Sequence, residues 1–499
     1  MPLNEELERL LVAGTVSAIG QAYRDGLLSI EDAVIWYLAR IETLNQAGPK
    51  LNAVKAVATN AIEEAARLDE ELATGHDRGP LHGIPILIKA NVMMGQSYTV
   101  HAGVAALRKF RPTITATVVA RLRDAGAIIL GQTNMTEFAD YVADVMPAGF
   151  SGAEGMVLNP HGIAYRRGPY GRGLGSSVGS ASSVAAGLAP LAIGGETQNS
   201  IQTPASYSSV VGYKPSLGAI TRAGIMPLVP SQDAAGFIGR TVGDVAIATA
   251  AVAGADVRDA ASMLWPIERQ EGARTRIADM SQLTIGVPRR AMADREQFAD
   301  VMPQFNAALA SLAGAGATIV DPCDLPSADA LQEVRSTVFA TEFKEALNCF
   351  LADQRPSEDI HSLADLIAWN AAHPEVIPYG QSLLIAAEAT HGIRHISYIE
   401  DKRRDLELSR TNGIDAAMSA GNVDVLIAPM GAAAKCTGKA GAPTLAIPMG
   451  MSADGTPFGV TLYARWGDDD AVLAAGALVE AHIGDRRLPN LALNDQENQ

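Results

Sequence analysis

GRGLGSSVGSASSVAAGLAPLAIGGETQNSIQTPASYSSVVGYKPS, residues 171–216, is the stretch whose reading decides the fold. Its first half places small residues where a backbone must turn tightly, and Ser180 to Leu188 then reads as a helix packed closely through Ala and Gly. Its second half runs from an apolar strand, Pro190 to Ile193, into a polar turn holding Ser200. A serine at such a turn can present its hydroxyl while the backbone N–H groups of Thr197, Gln198, Asn199 and Ser200 converge on one point. That convergence would make an oxyanion hole.

Working outward, strand and helix alternate. Upstream, Ser29 with Glu31 and Asp32 resembles a capping box, and Val34, Tyr37, Leu38, Ile41 and Leu44 then recur at helical spacing, which predicts a helix of about four turns. A short apolar run, Val54 to Val57, and a helical stretch, Ala61 to Leu72, precede GIPILIKANV, whose Ile84, Ile86 and Ile88 suit a buried strand. Thr113 to Ala125 is helical in pattern, Gly126 sits where a C′ glycine should, and Ala127 to Leu130 reads as a strand.

The rhythm returns downstream in LTIGVPR, a helical Gln297 to Leu312, and ATIVD. VDVLIAP, PTLAIPM and PFGVTLYA then precede a final helix from Asp470 to His482. Residues 140–180 are irregular, the mark of a functional stretch, and residues 326–415 are largely helical. The pattern predicts an α/β fold in which one domain spans 1–499, with a central mixed sheet covered by helices on both faces.

Composition narrows the function. The 499 residues are 48% hydrophobic and carry 39 Lys+Arg against 55 Asp+Glu, a net charge of −16. Such a surface repels nucleic acid and anionic membranes. An acidic start and the absence of 18 uninterrupted apolar residues predict a cytoplasmic protein. Cys323, Cys349 and Cys436 form no CxxC pair and are expected to be buried small hydrophobes. Glu388, His391 and His395 have helical spacing, but Gly392 stands where an HExxH metalloprotease needs glutamate, so they read as surface residues. The glycines of residues 171–175 complete no phosphate-cradling pattern, and Asp468 to Asp470 reads as capping of the last helix.

A serine nucleophile needs a base, and no nearby His, Asp or Glu has the context of a Ser-His-Asp triad. Lys89 is the candidate, because a lysine ending a buried strand loses solvation and its pKa falls from about 10.4. From spacing alone, a solvated strand end for Lys89 and ordinary turn chemistry for Ser176 and Ser200 fit the residues equally well.

GIPILIKANV, GSSVGS and GGETQNSIQTPASYSSVVGYKPSLG together resemble the signature of the amidase signature family, in its order and spacing. AIILGQTNMTEFA, SQDAAG and the closing strands extend the likeness over most of the chain, residues 326–415 excepted. The resemblance implies an amide hydrolase with Lys89 as base, Ser176 as a bridging serine in a cis peptide, and Ser200 as nucleophile. It implies no metal and no cofactor. The partner is a small-molecule amide, with no nucleic acid or membrane, and a homodimer is allowed. Departures bear on substrate: Gln198 and Asn199 replace the two glycines common before the nucleophile, Ala90 replaces a common aspartate, and Phe237 a common proline. Two other readings stand beside this one: the glutaminase subunit of a transamidating complex, and a silent binding protein whose site Gln198 and Asn199 have closed. Aliphatic, aryl and peptide C-terminal amides, and esters, all remain candidate substrates.

Overall fold

The computed structural model describes residues 3–165, 175–265, 277–292, 296–356, 359–453 and 455–491. Among them eleven strands form one sheet. In chain order these are β1 (Val54–Val57), β2 (Pro85–Lys89), β3 (Ile128–Thr133), β4 (Leu191–Glu196), β5 (Val211–Lys214), β6 (Ala234–Gly239), β7 (Thr284–Gly286), β8 (Thr318–Val320), β9 (Val425–Pro429), β10 (Thr444–Met451) and β11 (Pro457–Tyr463). Across the sheet the order is β1-β3-β2-β4-β6-β5-β10-β11-β9-β7-β8. β2 runs parallel to β3 and β4, and β7 runs parallel to β8 and β9. The other neighbours are antiparallel. The sheet is therefore mixed, and helices cover both faces.

Every residue of β2 is buried between its parallel neighbours, which accounts for an apolar run without polar alternation. Ile86, Leu87 and Ile88 each contribute about 1.5–3 kcal/mol of burial, enough to offset the cost of placing an amine at the end of the same strand. The helix Val178–Ala185 is also buried along its whole length. Its small residues permit this: a Cβ on Gly179 would lie 2.3 Å from the Asn134 carbonyl oxygen and 2.6 Å from that of Ala53.

Several boundaries differ from expectation. The helix expected over Thr113 to Ala125 occupies Thr117–Asp124. The residues before it are held otherwise, because Ile114 O accepts from Gly95 N and Ala116 N donates to Met93 O, at 3.0 and 2.8 Å. Gly126 does take a left-handed φ of 85°, as a C′ glycine should. Ser29 Oγ accepts from Asp32 N at 3.0 Å and starts the helix Ile30–Ile41, which continues as a π-helical turn over Glu42–Gln46. Asp468 stands at the N-cap of the last helix, Asp469–Ile483, with Asp469 and Asp470 in its first turn as expected, though Asp468 makes no side-chain capping bond. Asp469 turns inward, accepting from Tyr213 Oη (2.6 Å), Ser216 N (2.9 Å) and Ser216 Oγ (2.6 Å), and so pins that helix to the end of β5. Cys323 and Cys436 are buried as expected, whereas Cys349 is exposed on the helix Val338–Gln354.

Residues 326–415 are helical without a strand among the described residues. Their Phe343, Leu347, Leu363 and Leu384 form a second core with Val100, Leu107, Met135, Phe138 and Val229, separate from the core that backs the sheet. Among the described residues no helix is long and apolar enough to cross a membrane.

Candidate active site

Lys89 ends β2 beside β4 and is 1% exposed. Its Nζ donates to Ser176 Oγ at 2.7 Å, to Ser177 Oγ at 2.9 Å and to the Gly195 carbonyl oxygen at 2.9 Å. All three ammonium donors are thus used. Loss of water pushes the Lys89 pKa down to about 7, although Asp233 and Glu196 pull it upward. Desolvation wins over attraction, so near neutrality a large share of the amine is uncharged.

Ser176 and Ser177 precede the buried helix Val178–Ala185 and are themselves fully buried. Gly175 makes the turn into them with φ 60°, where a Cβ would stand 2.8 Å from Pro204 Cδ and 3.2 Å from Ser200 Cα. Only glycine allows the two segments this close. Ser177 N donates to Ser200 O at 3.1 Å, which fixes the pair of segments together. The cis peptide expected at Ser176 is not observed: among the described residues the cis bond is Asp321–Pro322. The left-handed Gly175 already supplies the sharp reversal, at no steric cost.

Ser200 is 4% exposed and lies in the loop between β4 and the short helix Gln202–Tyr207. Its hydroxyl makes no hydrogen bond among the described residues, and the backbone N–H groups of Thr197, Gln198, Asn199 and Ser200 find no acceptor there. Four consecutive donors are left for something else to satisfy. Two carboxylates hold this loop. Glu196 Oε2 accepts from Ile201 N (2.7 Å) and Gln202 N (2.9 Å), and its Oε1 from Gln202 Nε2 (2.8 Å). Asp233 Oδ1 accepts from Thr197 Oγ1 (2.7 Å) while its Oδ2 takes Leu228 N and Val229 N, both at 2.8 Å. Burial raises the pKa of each. The side chains that replace glycines do not fill the site. Gln198 Nε2 turns to Gln232 Oε1 at 3.1 Å, and Asn199 is exposed.

Lys89 Nζ and Ser176 Oγ are thus in contact, and Ser200 adjoins them through its backbone, at Ser177 N. Ser177, Glu196 and Asp233 are the polar residues that sequence reasoning missed. Ser177 adjoins Ser176, Glu196 closes the apolar run of β4 and Asp233 lies in SQDAAG, but nothing along the chain marks any of the three as a polar contact of the site. Glu388, His391 and His395 form no part of the site; Glu388 pairs with Lys344 at 3.2 Å and the two imidazoles lie exposed with centroids 4.6 Å apart. Residues 171–174 of the glycine run lie outside the described residues. A cavity of about 210 Å³ borders Lys89, Asn91 and Thr197 on one side and Arg222, Leu228 and Asp233 on the other. Neither Ser176 nor Ser200 lines it, so it adjoins the amine rather than the serines.

A buried, partly neutral amine on a serine hydroxyl, against a loop with unclaimed N–H donors, has the chemistry of a histidine-free acyl-transfer hydrolase. The model of the Amidase family matches residues 32–439, and the chain belongs to that family of amide-hydrolysing enzymes. Among its relatives, a probable amidase of Arabidopsis thaliana is 30% identical over 461 residues, 90% of this chain and 85% of its own. The native peptide amidase of Stenotrophomonas maltophilia superposes with a TM-score of 0.87 at 35% identity, covering 96% of this chain and 99% of that one. The A component of a glutamyl-tRNA(Gln) amidotransferase of Ralstonia pickettii is 29% identical, over 93% of this chain and 96% of its own.

Proposed function

We propose that this chain is a single-domain amidase that cleaves a carboxylic amide through an acyl-enzyme on Ser200. Ser200 Oγ attacks the carbonyl carbon, Ser176 takes its proton and passes one to Lys89, and the leaving ammonia or amine receives that proton back. The N–H groups of residues 197–200 hold the negative oxygen of the tetrahedral intermediate. Water then attacks the acyl-enzyme by the same path in reverse. The observation that carries this reading is the Lys89 Nζ to Ser176 Oγ contact of 2.7 Å at an amine whose pKa burial has brought to about 7.

The likeness to a peptide amidase over almost the whole chain supports an amide at the end of a peptide as the substrate. The net charge of −16 supports a small neutral or cationic substrate over a nucleic acid. Ammonia release from a panel of peptide amides, simple aliphatic amides and aryl amides tests the class, and Ser200→Ala tests the chemistry. Retention of full activity by Ser200→Ala would overturn the assignment. The likeness to the amidotransferase component carries a second reading, in which the chain releases ammonia from glutamine for a partner. Turnover of peptide amides by the purified chain alone favours the first reading; turnover of glutamine only, and only with a partner present, favours the second.

A further inference from the structure

A second cavity, of about 490 Å³, borders β1 and β3 and shares no lining residue with the one beside Lys89. Its volume falls within the range of about 300–1,000 Å³ that accommodates small organic molecules. Gln132, Tyr98, Arg111 and Arg123 line it, and no Asp or Glu does.

Two polar groups here are donors without a partner. Lys55 Nζ donates to Thr99 O (2.6 Å), Thr99 Oγ1 (2.8 Å) and Gln132 Oε1 (3.0 Å). That last bond fixes the Gln132 amide, so its Nε2 faces away from Lys55 as a donor; the residue is wholly buried and Nε2 has no partner. Arg123 Nε is likewise buried and without a partner. Arg111 spends one bond on the Gln96 carbonyl, 3.1 Å from Nη1. Among the described residues neither arginine forms an ion pair. Nearby carboxylates are engaged elsewhere: Glu154 with His101 at 3.2 Å, and Glu64 with Asn60 Nδ2 at 2.8 Å.

Arg111 and Arg123 thus face a cavity that no carboxylate lines, in a chain with 55 acidic residues. A buried donor left unpaired is costly, more so beside charge, and an oxyanion would satisfy several at once. We propose that this cavity binds a small organic anion, seating a phosphate or carboxylate group between Gln132 Nε2 and the guanidinium groups of Arg123 and Arg111. The site is independent of the acyl-transfer chemistry proposed above.

Calorimetric titration of the full chain at constant ionic strength tests it, with inorganic phosphate, citrate and succinate as probes and chloride as the control. Saturable binding of phosphate, of a carboxylate, or of both is expected, and the pattern identifies which oxyanion the cavity prefers. Arg123→Gln should weaken that binding at least tenfold and leave amide hydrolysis, measured without added anion, unchanged. Arg111→Gln, at an exposed side chain, should weaken it at least threefold and guards against an Arg123 variant that fails to fold. Absence of saturable binding by all three probes, or binding that both variants retain at full strength, would overturn the proposal.

Discussion

At Lys89 two opposing effects meet, and their balance sets how the enzyme should respond to pH. Burial favours the neutral amine and the Asp233 and Glu196 carboxylates favour the charged one; burial prevails and places the pKa at about 7. The base must be neutral to accept a proton, so kcat/KM for a peptide amide should rise with pH through a single limb near 7 and level above it. A limb near 10 would mean that Lys89 is not the base. The sign for stability follows from the same shift. The folded pKa lies below the unfolded value of about 10.4, so between about 7 and 10.4 the unfolded chain binds more protons and this group adds stability as pH rises. Lys89→Met, of similar length and apolar, removes the buried amine altogether. It should abolish turnover and leave Ser176 Oγ without its partner, a cost of about 1–3 kcal/mol set against the relief of a desolvated amine; denaturant unfolding at pH 7 measures the balance. The three residues at this centre were legible in the sequence only because motifs stood around them. Ser177, Glu196 and Asp233 were not, because what distinguishes them is the direction of a side chain rather than a pattern along the chain.

Among elements, the loop from β4 to Gln202–Tyr207 depends on how two helices hold it. Glu196 anchors its far end by accepting two backbone N–H groups at the start of the short helix. Glu196→Gln keeps an acceptor there but loses the charge. It should lower kcat more than it raises KM, and move the pH limb downward, because one attraction for the charged Lys89 is gone. On the other side stands the helix Ala434–Ala440, where a Cβ on Gly438 would lie 2.5 Å from Thr197 O and 2.8 Å from Gln198 Cγ. Gly438→Ala improves helix propensity by about 0.5–1 kcal/mol yet pushes on the donors of the loop. A shift of the loop near 1 Å would cost about 10²-fold in kcat, with thermal stability held, and steady-state kinetics beside a melting curve would separate the two. Full activity in Gly438→Ala would show that the loop's position is not critical. Strands β1 to β4 and β7 to β11 could be read from apolar runs between turn residues. β5 and β6 could not: VGYK is short, and AAGFIG has the small residues of a loop. They are strands because neighbours on both sides pair with them, an influence no local pattern carries.

On the scale of the whole molecule there are two cores, and one side chain reaches from the helices of the second to a loop beside Lys89. The order of the sheet was not legible from the sequence, since it brings Lys214 opposite Thr444 across a long stretch of intervening chain. Nor was the docking of the 326–415 helices, whose amphipathic faces do not say what they cover. Glu342, on the helix Val338–Gln354, is 5% exposed and reaches out of the second core: its Oε2 accepts from Ser231 N at 2.8 Å and its Oε1 from Tyr398 Oη at 2.9 Å. Ser231 precedes Asp233, and the loop they close supplies Arg222, Leu228 and Pro230 to the cavity beside Lys89. Glu342 therefore couples the variable helices to a wall of the site without touching the serines. Glu342→Ala leaves Ser231 N and Tyr398 Oη unsatisfied, a cost of about 1–3 kcal/mol that the loop would bear. If the helices set substrate choice through this contact, KM for longer peptide amides should rise about tenfold in the variant, while the rate at which a small phosphonate labels Ser200 stays within about twofold. An equal loss on both would mean that Glu342 supports the fold alone, and that selectivity is built nearer the nucleophile.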